Sequence, residues 1–504
     1  MAPPEEHLET GAATAAAGEL TELILLRSAA ELTLKSRRTR SRFQAQLLRN
    51  LRDALGSAGA PYRLEPGWDR IYVRTTPGPP RAVLPRVFGL SSFSPIAAVA
   101  RADLEEIVAT GEARFRERVR GRSFAVRARR TGQHDFTSQD IQVRLGAALR
   151  PHARTVDLEA PEVTVHVEVR ERDAYLFTER VAGAGGLPLG VEGRGVSLIS
   201  GGYDSAVAAW LLLKRGVALD YVFCNLGGDA YERAVVQVAK VLADDWHFGT
   251  RPKLHVVDFD APLAELRSKV KPSYWQVVLK RLMYRTASRI GAALGAEAIV
   301  TGEAVGQVSS QTLTNLRAIE PAAELPVFRP LLGFDKEEII ARARTIGTAA
   351  LSEQVKEYCA IAPGKPVTAA SVQAVDREEA RLELAVIDAA VAAAKVLDLR
   401  ALTATDLVAP YLFAAEIPPE AVVLDCRPAA QYHAWHLPGA EHRDEWELLQ
   451  SFKRLDKKRT YILYCQHGIQ SAYLAERMQR AGYEAYSFRG GARGIMKYAQ
   501  ARGS

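Results

Sequence analysis

One short loop between a predicted strand and a predicted helix constrains the fold of this 504-residue chain most. The apolar run Val196–Ile199 is typical of a buried strand, and the apolar segment Ala206–Arg215 is typical of a helix. Between them lies Ser200–Ser205, which reads Ser-Gly-Gly-Tyr-Asp-Ser. In such a turn, free backbone N–H groups and the positive end of the helix dipole can meet an anion. The segment therefore predicts an α/β fold with a phosphate site at a strand end.

The side chains of this loop suit a nucleotide. Gly201 and Gly202 let the backbone approach a phosphate, and Ser200 and Ser205 add hydroxyl donors. A carboxylate at Asp204 is favourable beside phosphates mainly when Mg²⁺ bridges the two. No lysine follows as in a Walker A loop, so transfer of a γ-phosphate is not indicated. The alternative is a glycine turn without a ligand.

Strands alternate with helices after this loop, which predicts a doubly wound parallel sheet. The strands are expected at Val196–Ile199, Tyr221–Cys224, Leu254–Phe259 and Ala298–Thr301. A polar stretch, Thr301–Thr312, follows the last strand at the carboxyl end, where ligands of such sheets bind. In the preceding helix, Lys280 or Arg281 is within possible reach of phosphates; a solvated basic face is the alternative.

The first third of the chain is basic. Residues 21–180 carry 28 Lys and Arg against 19 Asp and Glu, a net charge of +9, whereas the whole chain has +7. This asymmetry predicts a polyanion-binding module ahead of a near-neutral catalytic part. Leu23–Leu26 and Glu31–Leu34 have the length of strands, and apolar residues spaced by four predict a helix over Arg40–Leu55.

Alternating patterns continue to residue 182. Phe124–Arg130 and Val163–Val169 alternate like half-exposed strands, and Ser138–Leu149 has the pattern of a helix. Pro77–Pro80 is a strong breaker and predicts a domain boundary, while the glycine-rich stretch Gly183–Gly195 predicts a linker.

The C-terminal region predicts one long helix over the Ala- and Glu-rich stretch Ser371–Val396 and a last α/β unit from about Thr403. Its buried-type strands are expected at Val422–Asp425 and Tyr461–Tyr464. Cys465 follows the second of these strands and precedes a helix. Backbone N–H groups of such a loop stabilise an anionic sulfur, so we expect a lowered pKa and a reactive thiolate or persulfide. A buried, inert cysteine is the alternative.

The other cysteines carry weaker signals. The nearest two of the four lie 39 residues apart, so no CxxC metal motif exists, and a functional cysteine is expected to be a nucleophile or a transient redox partner. Cys224 is expected in the core and Cys426 in a structural position at a strand end, while Cys359 alone indicates little.

The sequence also bears on location. No apolar run approaches the ~20 residues that cross a bilayer, and Met1–Leu20 lacks a secretory-signal pattern. We expect residues 1–20 to form a disordered tail and the protein to be cytoplasmic, without membrane contact.

Taken together, these motifs resemble the tRNA 4-thiouridine synthase (tRNA sulfurtransferase) family, in its long form with a C-terminal rhodanese domain. The matching segments cover nearly the whole chain from residue 21, and Thr301–Leu316 is highly specific. They are Glu31–Lys35, Arg42-Phe43, Arg86–Leu90, His134–Phe136 with Ser138, Leu198–Ser205, Phe223–Gly228, Lys280–Arg285, Thr301–Arg317, Tyr358-Cys359 and the Cys465 loop.

The resemblance implies a multidomain α/β architecture. A disordered tail (1–20) would precede a ferredoxin-like domain (21–77), a THUMP RNA-binding domain (78–182), a PP-loop ATP-pyrophosphatase domain (183–396) and a rhodanese domain (403–504). The two domains after the tail would bind tRNA, consistent with their charge. The candidate tRNA contacts are Arg37, Arg38, Arg127, Arg129 and Arg130.

Residue roles follow from the same resemblance. ATP, split into an adenylyl group and pyrophosphate, would contact Leu198, Ile199, Ser200, Gly201, Gly202, Ser205, Lys280, Gly302 and Gln311, with Mg²⁺ held through Asp204 and no protein-only metal site. Cys465 would carry a persulfide, and Cys359 would be its redox partner in a transient disulfide. Many rhodanese loops carry Arg where this chain has Gln470, so the backbone would supply most of the anion stabilisation.

The implied chemistry replaces an oxygen by sulfur. Adenylation would turn O4 of the uridine at tRNA position eight into a leaving group, and the Cys465 persulfide would supply sulfur, giving 4-thiouridine. Cys359 would then attack the Cys465 sulfur, and an external thiol would reduce the disulfide. The implied partners are tRNA, a cysteine desulfurase, a sulfur carrier protein of thiamine thiazole synthesis and a second copy of the chain. No permanently bound cofactor is implied.

Two other interpretations stay open. A sulfur carrier acting mainly in thiazole synthesis would need only residues 403–504 and would leave the basic third unexplained. An RNA-binding module with another adenylation target, such as amidation or lysine attachment, would leave Cys465 without a role.

Overall fold

The structure is a computed structural model. It describes residues 20–67, 70–226, 228–353, 355, 365–403, 412–466 and 468–502. Within these residues the chain forms two compact units. The first comprises residues 20–34, 59–80 and 90–185, and the second comprises 35–58, 81–89 and 186–502.

The strands of the first unit form two sheets. They are β1 (Glu22–Ser28), β2 (Tyr62–Pro66), β3 (Arg70–Thr75), β4 (Leu90–Ile96), β5 (Ala98–Arg101), β6 (Ser123–Thr131), β7 (Thr155–Val156), β8 (Val163–Arg170), β9 (Asp173–Phe177) and β10 (Val181–Ala182). The strands of the second unit also form two sheets. They are β11 (Arg194–Leu198), β12 (Ala218–Asn225), β13 (Lys253–Asp258), β14 (Ile299–Val300), β15 (Val327–Phe328), β16 (Lys395–Asp398), β17 (Phe413–Ala414), β18 (Val422–Asp425), β19 (Glu441–His442), β20 (Thr460–Tyr464) and β21 (Glu484–Phe488).

The α-helices alternate with these strands. They are α1 (Ala30–Thr33), α2 (Arg37–Ala58), α3 (Pro79–Val83), α4 (Leu104–Val119), α5 (Ser138–Leu149), α6 (Tyr203–Lys214), α7 (Gly228–Trp246), α8 (Asp260–Lys269), α9 (Trp275–Leu294), α10 (Leu313–Ile319), α11 (Lys336–Ile346), α12 (Ala349–Ser352), α13 (Val372–Glu379), α14 (Ala385–Ala392), α15 (Ala429–Ala434), α16 (Glu445–Ser451), α17 (Ile469–Arg480) and α18 (Gly491–Ala501). In the described part of the chain, no helix is both long and apolar enough to cross a membrane.

The first sheet is antiparallel, in the order β10-β4-β1-β3-β2. It takes strands from both sides of residue 77, where the sequence predicts a domain boundary. The expected strand at Glu31–Leu34 is wrong, because Ala30–Thr33 forms the one-turn helix α1. The Leu32 N–H bonds to the Ala29 carbonyl and the Thr33 hydroxyl bonds to the Ala30 carbonyl, while Leu34 is 85% exposed. These local hydrogen bonds therefore favour a helical turn over the strand that the apolar pattern predicted.

The second sheet follows the order β5-β9-β8-β6-β7 and carries α4 and α5. Its predicted strands and its predicted helix Ser138–Leu149 are confirmed. Phe124 and Val126 of β6 point into the core, whereas Arg127 and Arg129 are exposed. The alternation therefore produces one apolar and one basic face.

A buried carboxylate joins the two sheets of the first unit. Glu168 on β8 accepts hydrogen bonds from Arg27 (2.9 Å), Arg70 (2.7 Å) and Arg170 (2.6 Å). Burial alone would raise the pKa of Glu168, but Arg27 and Arg70 lower this pKa to about 2. The alternating sequence pattern of β8 does not indicate this cluster.

The second unit contains the predicted parallel sheet, in the order β15-β14-β11-β12-β13-β16. All its pairs are parallel except β13 with β16. The long helix expected over Ser371–Val396 is wrong, since this segment forms α13, α14 and the start of β16. Glu379 is the last residue of α13 and forms ion pairs with Arg281 and Arg285 of α9. These tertiary ion pairs therefore help to end the helix within a segment whose composition favours one long helix.

The last sheet is parallel, in the order β17-β21-β20-β18-β19. Both strands predicted here from the sequence are confirmed as β18 and β20. Ile462 and Tyr464 contribute to its own apolar core, together with Phe488 and Ile495. The carboxyl end of β20 carries Cys465.

Candidate functional site

The glycine loop has the predicted strand–turn–helix geometry. β11 ends at Leu198, and α6 begins at Tyr203 with Gly202 as its N-cap. Gly201 has φ = 76°, a left-handed conformation that favours glycine. The free N–H groups of α6 therefore face the end of the sheet, as anion binding requires.

Hydrogen bonds within the loop fix its shape. The Ser205 hydroxyl accepts from the Ser200 N–H at 3.2 Å and donates to the Gly202 carbonyl at 3.1 Å. The Tyr231 hydroxyl on α7 donates to the Ser200 carbonyl at 3.1 Å. The loop is therefore held in a preformed cradle.

The segment after β14 packs directly against this cradle. A Cβ atom added to Gly302 would lie 2.6 Å from the Asp204 carbonyl carbon and 2.6 Å from the Ser205 nitrogen, closer than Cβ contacts in proteins. Only glycine lets the two loops approach so closely. Gln311 closes the second loop, since its side-chain oxygen accepts from the Ala304 N–H at 3.1 Å and its carbonyl accepts from the Gly306 N–H.

A cleft at the carboxyl ends of β11, β12 and β14 collects most of the predicted ATP residues. Its lining includes Leu198, Ile199, Ser200, Gly202, Asp204, Ser205, Lys280, Gly302 and Gln311. Gly201 does not line it, and its conformation shapes the turn instead.

A buried carboxylate at the back of the cleft was missed from the sequence. Glu303 Oε2 accepts hydrogen bonds from the hydroxyls of Tyr284 and Thr301 and from Arg329 at 3.0 Å. Glu303 Oε1 makes no hydrogen bond and lies 3.7 Å from the Lys280 ammonium. Burial would raise the pKa of Glu303, but Lys280, Tyr284 and Arg329 outweigh it and lower the pKa. Glu303 thus stays ionised and holds Lys280 at the cleft wall.

The Asp204 carboxylate faces the cleft with two partners that the sequence did not indicate. Lys336 at the start of α11 donates to both oxygens, at 3.0 and 3.1 Å, and Gln307 donates at 3.0 Å. Among the described residues no group of three metal-ligating side chains exists. One carboxylate beside bound phosphates is nevertheless an ordinary Mg²⁺ arrangement, so Asp204 fits a metal that arrives with the nucleotide.

Cys465 lies in a loop that directs hydrogen bonds at its sulfur. The N–H groups of Gly468 (3.2 Å) and Ser471 (3.4 Å) and the Ser471 hydroxyl (3.4 Å) donate to Cys465 Sγ. Gly468 has φ = 86° and caps α17. A Cβ on Gly491 would lie 2.7 Å from the Cys465 and Gln466 carbonyl oxygens, so glycine is required there too.

The resting thiol differs from the sequence-based expectation. Burial raises the pKa of Cys465, and the hydrogen bonds from Ser471 and Gly468 reduce this effect without reversing it, while Glu445 adds to it. The expected lowering of the Cys465 pKa is therefore wrong. The loop can stabilise an anionic sulfur, but the buried cavity around it keeps the thiol protonated.

The segment Asp425–Arg427 supports the same loop. Arg427 is buried and donates to the Asp425 carboxylate, with its Nε at 2.9 Å and its Nη2 at 2.6 Å. The Arg427 guanidinium also faces the Tyr464 ring. The pair fixes the ends of β18 and β20 relative to each other.

The candidate arginines fall in different parts of the chain. Arg127 and Arg129 are exposed on β6 of the first unit, with Arg130 partly exposed beside them. Arg37 and Arg38 are exposed at the start of α2 in the second unit. Cys359 lies outside the described residues, so its role as the redox partner of Cys465 stays a prediction.

Comparisons with protein families find matches in four regions of the chain. The family model described as "Thiamine biosynthesis protein (ThiI)" matches residues 190–384. Three further models match: a ThiI ferredoxin-like domain (23–94), a THUMP domain (101–179) and a rhodanese-like domain (412–497). The matches follow the chain order that the resemblance implied.

Similar proteins cover nearly the same length. A tRNA sulfurtransferase of Desulfurococcus amylolyticus is 38% identical over 93% of this chain and 97% of its own, and one of Pectobacterium atrosepticum is 36% identical over 90% and 96%. The crystal structure of a 4-thiouridine synthetase–RNA complex with bound ATP is 31% identical, with a TM-score of 0.66 over 75% of this chain and 99% of that chain. The chain belongs to the tRNA sulfurtransferase (ThiI) family and is a sulfurtransferase.

Proposed function

We propose that this protein uses ATP to replace the O4 oxygen of the uridine at tRNA position eight by sulfur, forming 4-thiouridine. The observation that carries the proposal is the preformed phosphate cradle at Ser200–Ser205, which lies in one compact unit with the Cys465 loop. A solved structure similar to this chain is that of a 4-thiouridine synthetase in complex with RNA and with bound ATP, which supports both substrates.

The cleft suits adenylation. The N–H groups at the start of α6 and the Lys280 ammonium supply positive potential for the phosphates. Asp204 would hold the Mg²⁺ that accompanies ATP, and this metal would supply charge neutralisation for the phosphates. The Lys336 ammonium lies 3.0 Å from the Asp204 carboxylate, so Mg²⁺ binding at Asp204 would compete with this ion pair. The terminal sulfur of the Cys465 persulfide then bonds to C4 of the uridine, directly or after release as sulfide, and the adenylated O4 leaves as AMP.

Cys465 supplies the sulfur in this proposal. A cysteine desulfurase loads a sulfur atom onto Cys465, and the Gly468 and Ser471 donors stabilise the charge on the sulfur. Attack of Cys359 on Cys465 Sγ completes the transfer, and an external thiol resets the disulfide.

In this proposal the basic surfaces bind the RNA. Arg127 and Arg129 project from one face of β6, away from the apolar core. Arg37 and Arg38 stand in the first turn of α2, which contains no acidic residue and therefore keeps the positive potential of a helix N-terminus. Both features attract phosphate backbones. We also propose that the enzyme acts in the cytoplasm and as a homodimer.

The test is a reconstitution with the full chain, Mg²⁺-ATP, unmodified tRNA, cysteine and a cysteine desulfurase. We expect one sulfur in tRNA for each AMP formed, and Cys465→Ala to abolish sulfur incorporation while tRNA affinity persists. Full thiolation by Cys465→Ala under these conditions would contradict the mechanism.

A second role, sulfur donation to a carrier protein of thiamine thiazole synthesis, is favoured by the separate sheet and core of residues 412–502. It does not need the nucleotide cleft. We expect Asp204→Asn in the full chain to abolish tRNA thiolation yet support growth without thiamine, and Cys465→Ala to abolish both. Equal loss of both activities in Asp204→Asn would exclude an independent second role.

A further inference from the structure

Two cysteines end neighbouring strands of the last sheet. β18 and β20 are parallel, with Asp425 paired to Tyr464, and Cys426 and Cys465 are the next residue on each strand. The Cys426 N–H donates to the Tyr464 carbonyl at 2.8 Å, so the two strands are still in register at this point. Residues paired in this way share one face of a parallel sheet.

Both cysteines reach the same cavity. Cys426 and Cys465 are free, almost fully buried, and line one cavity with Arg427, Glu445 and Gln470. Neighbouring strands lie about 4.8 Å apart, and disulfides span Cα separations of about 4.4 to 6.8 Å. The strand ladder therefore places the pair within the range of a disulfide without any domain movement.

We propose that Cys426 is a second resolving thiol for Cys465, able to release the transferred sulfur by forming a disulfide inside the last sheet domain. The proposal rests on the proposed persulfide of Cys465. It differs from the sequence-based expectation, which gave Cys426 a structural position, and it adds to the role of Cys359 rather than replacing it.

The step is balanced without a further reactant. Cys426 Sγ attacks Cys465 Sγ, the bond from Cys465 Sγ to the terminal sulfur breaks, and that sulfur leaves with the electron pair. The proton of the Cys426 thiol passes to the departing sulfur, which becomes hydrosulfide. The two cysteine sulfurs are left oxidised as a disulfide, which the external thiol of the proposed cycle reduces.

The protonation state of Cys426 affects how it can attack Cys465. Burial raises the pKa of the Cys426 thiol well above its usual range, and the nearby Cys465 adds to this. Cys426 therefore stays protonated and idle in the resting cavity. Because the thiolate is the nucleophile, attack on Cys465 Sγ requires the Cys426 proton to pass to the departing sulfur as the sulfur–sulfur bond breaks.

The test loads the full chain with sodium polysulfide as the sulfur donor, in wild type, Cys359→Ala and the Cys359→Ala/Cys426→Ala double variant. Excess donor is removed, and released sulfide and non-reduced peptides are measured by mass spectrometry. We expect Cys359→Ala to release sulfide and to contain a Cys426–Cys465 disulfide. The double variant should hold its sulfur on Cys465 and release it at least about tenfold more slowly.

A control variant and a treatment with an oxidant distinguish failure of the Cys426 proposal from failure of the proposed function. Met478→Leu changes another buried sulfur in the same domain and should behave like wild type. Treatment of the unloaded chain with diamide should form the same disulfide, whether or not Cys465 ever carries a persulfide. Failure to load sulfur on Cys465 would refute the proposed function alone. A loaded Cys359→Ala chain without the Cys426–Cys465 disulfide, or with the sulfide release of the double variant, would overturn the proposal for Cys426.

Discussion

Replacing Gly302 by alanine tests whether the two loops of the ATP cleft must touch. The new Cβ would lie 2.6 Å from two backbone atoms at Asp204 and Ser205, and ordinary contact begins at 3.4 Å. Backbone atoms cannot rotate aside as a flexible side chain can. Either the phosphate loop or the segment after β14 must therefore move by most of an ångström.

The size of the effect follows from that displacement. A misplacement of about 1 Å can cost about a hundredfold in rate, and overpacking costs about 1 to 3 kcal/mol of stability. We expect Gly302→Ala to lower kcat/KM for ATP-dependent tRNA thiolation by ten- to a hundredfold, with the chain still folded by circular dichroism. Gly333→Ala is the control, because nothing lies within 4 Å of its added Cβ. Wild-type kinetics in Gly302→Ala would refute the close approach.

Two further predictions concern buried ionisable side chains, Glu168 and Cys465. Glu168→Gln should lower the free energy of unfolding of the first unit by about 3 kcal/mol at pH 7, because a carboxyl with a folded pKa of about 2 and an ordinary value of 4.5 stabilises by that amount. This stabilisation is present above about pH 4.5 and is lost as the pH falls toward 2. Urea unfolding should therefore show that the difference in unfolding free energy between wild type and Glu168→Gln becomes smaller below pH 4.5. A difference that stays constant with pH would contradict this prediction. Cys465, whose thiol pKa burial raises, should react with iodoacetamide more slowly at pH 7 than cysteine in the unfolded chain and accelerate through pH 9, as followed by peptide mass analysis. A plateau below pH 8 would show that the thiolate already exists at rest.

Local sequence signals predicted the parts of the site that are built locally. The Ser200–Ser205 turn and the Cys465 loop each join one strand to the next helix, so strand pattern, glycines and helix start lie within a few residues. The position of Gly302 at a strand end was also predictable, because parallel strands bring their carboxyl ends to one edge.

Contacts between distant segments could not be predicted in this way. Lys336 reaches Asp204 across 132 residues, and Glu303 is paired by Arg329 and Lys280 from other elements. The pKa of Cys465 depends on burial by the assembled cavity, which outweighs the local N–H donors that the sequence revealed. The single-helix prediction for Ser371–Val396 failed for the same reason, since tertiary ion pairs and strand pairing decide where α13 and α14 end.

The central claim is the exchange of one oxygen for sulfur in tRNA. The most direct measurement is mass analysis of nucleosides from the tRNA of a strain lacking this chain, complemented with wild type or with Cys465→Ala. We expect 4-thiouridine to disappear in the deletion strain, to return with the wild-type chain and to stay absent with Cys465→Ala. Unchanged 4-thiouridine in the deletion strain, or full recovery with Cys465→Ala, would contradict it.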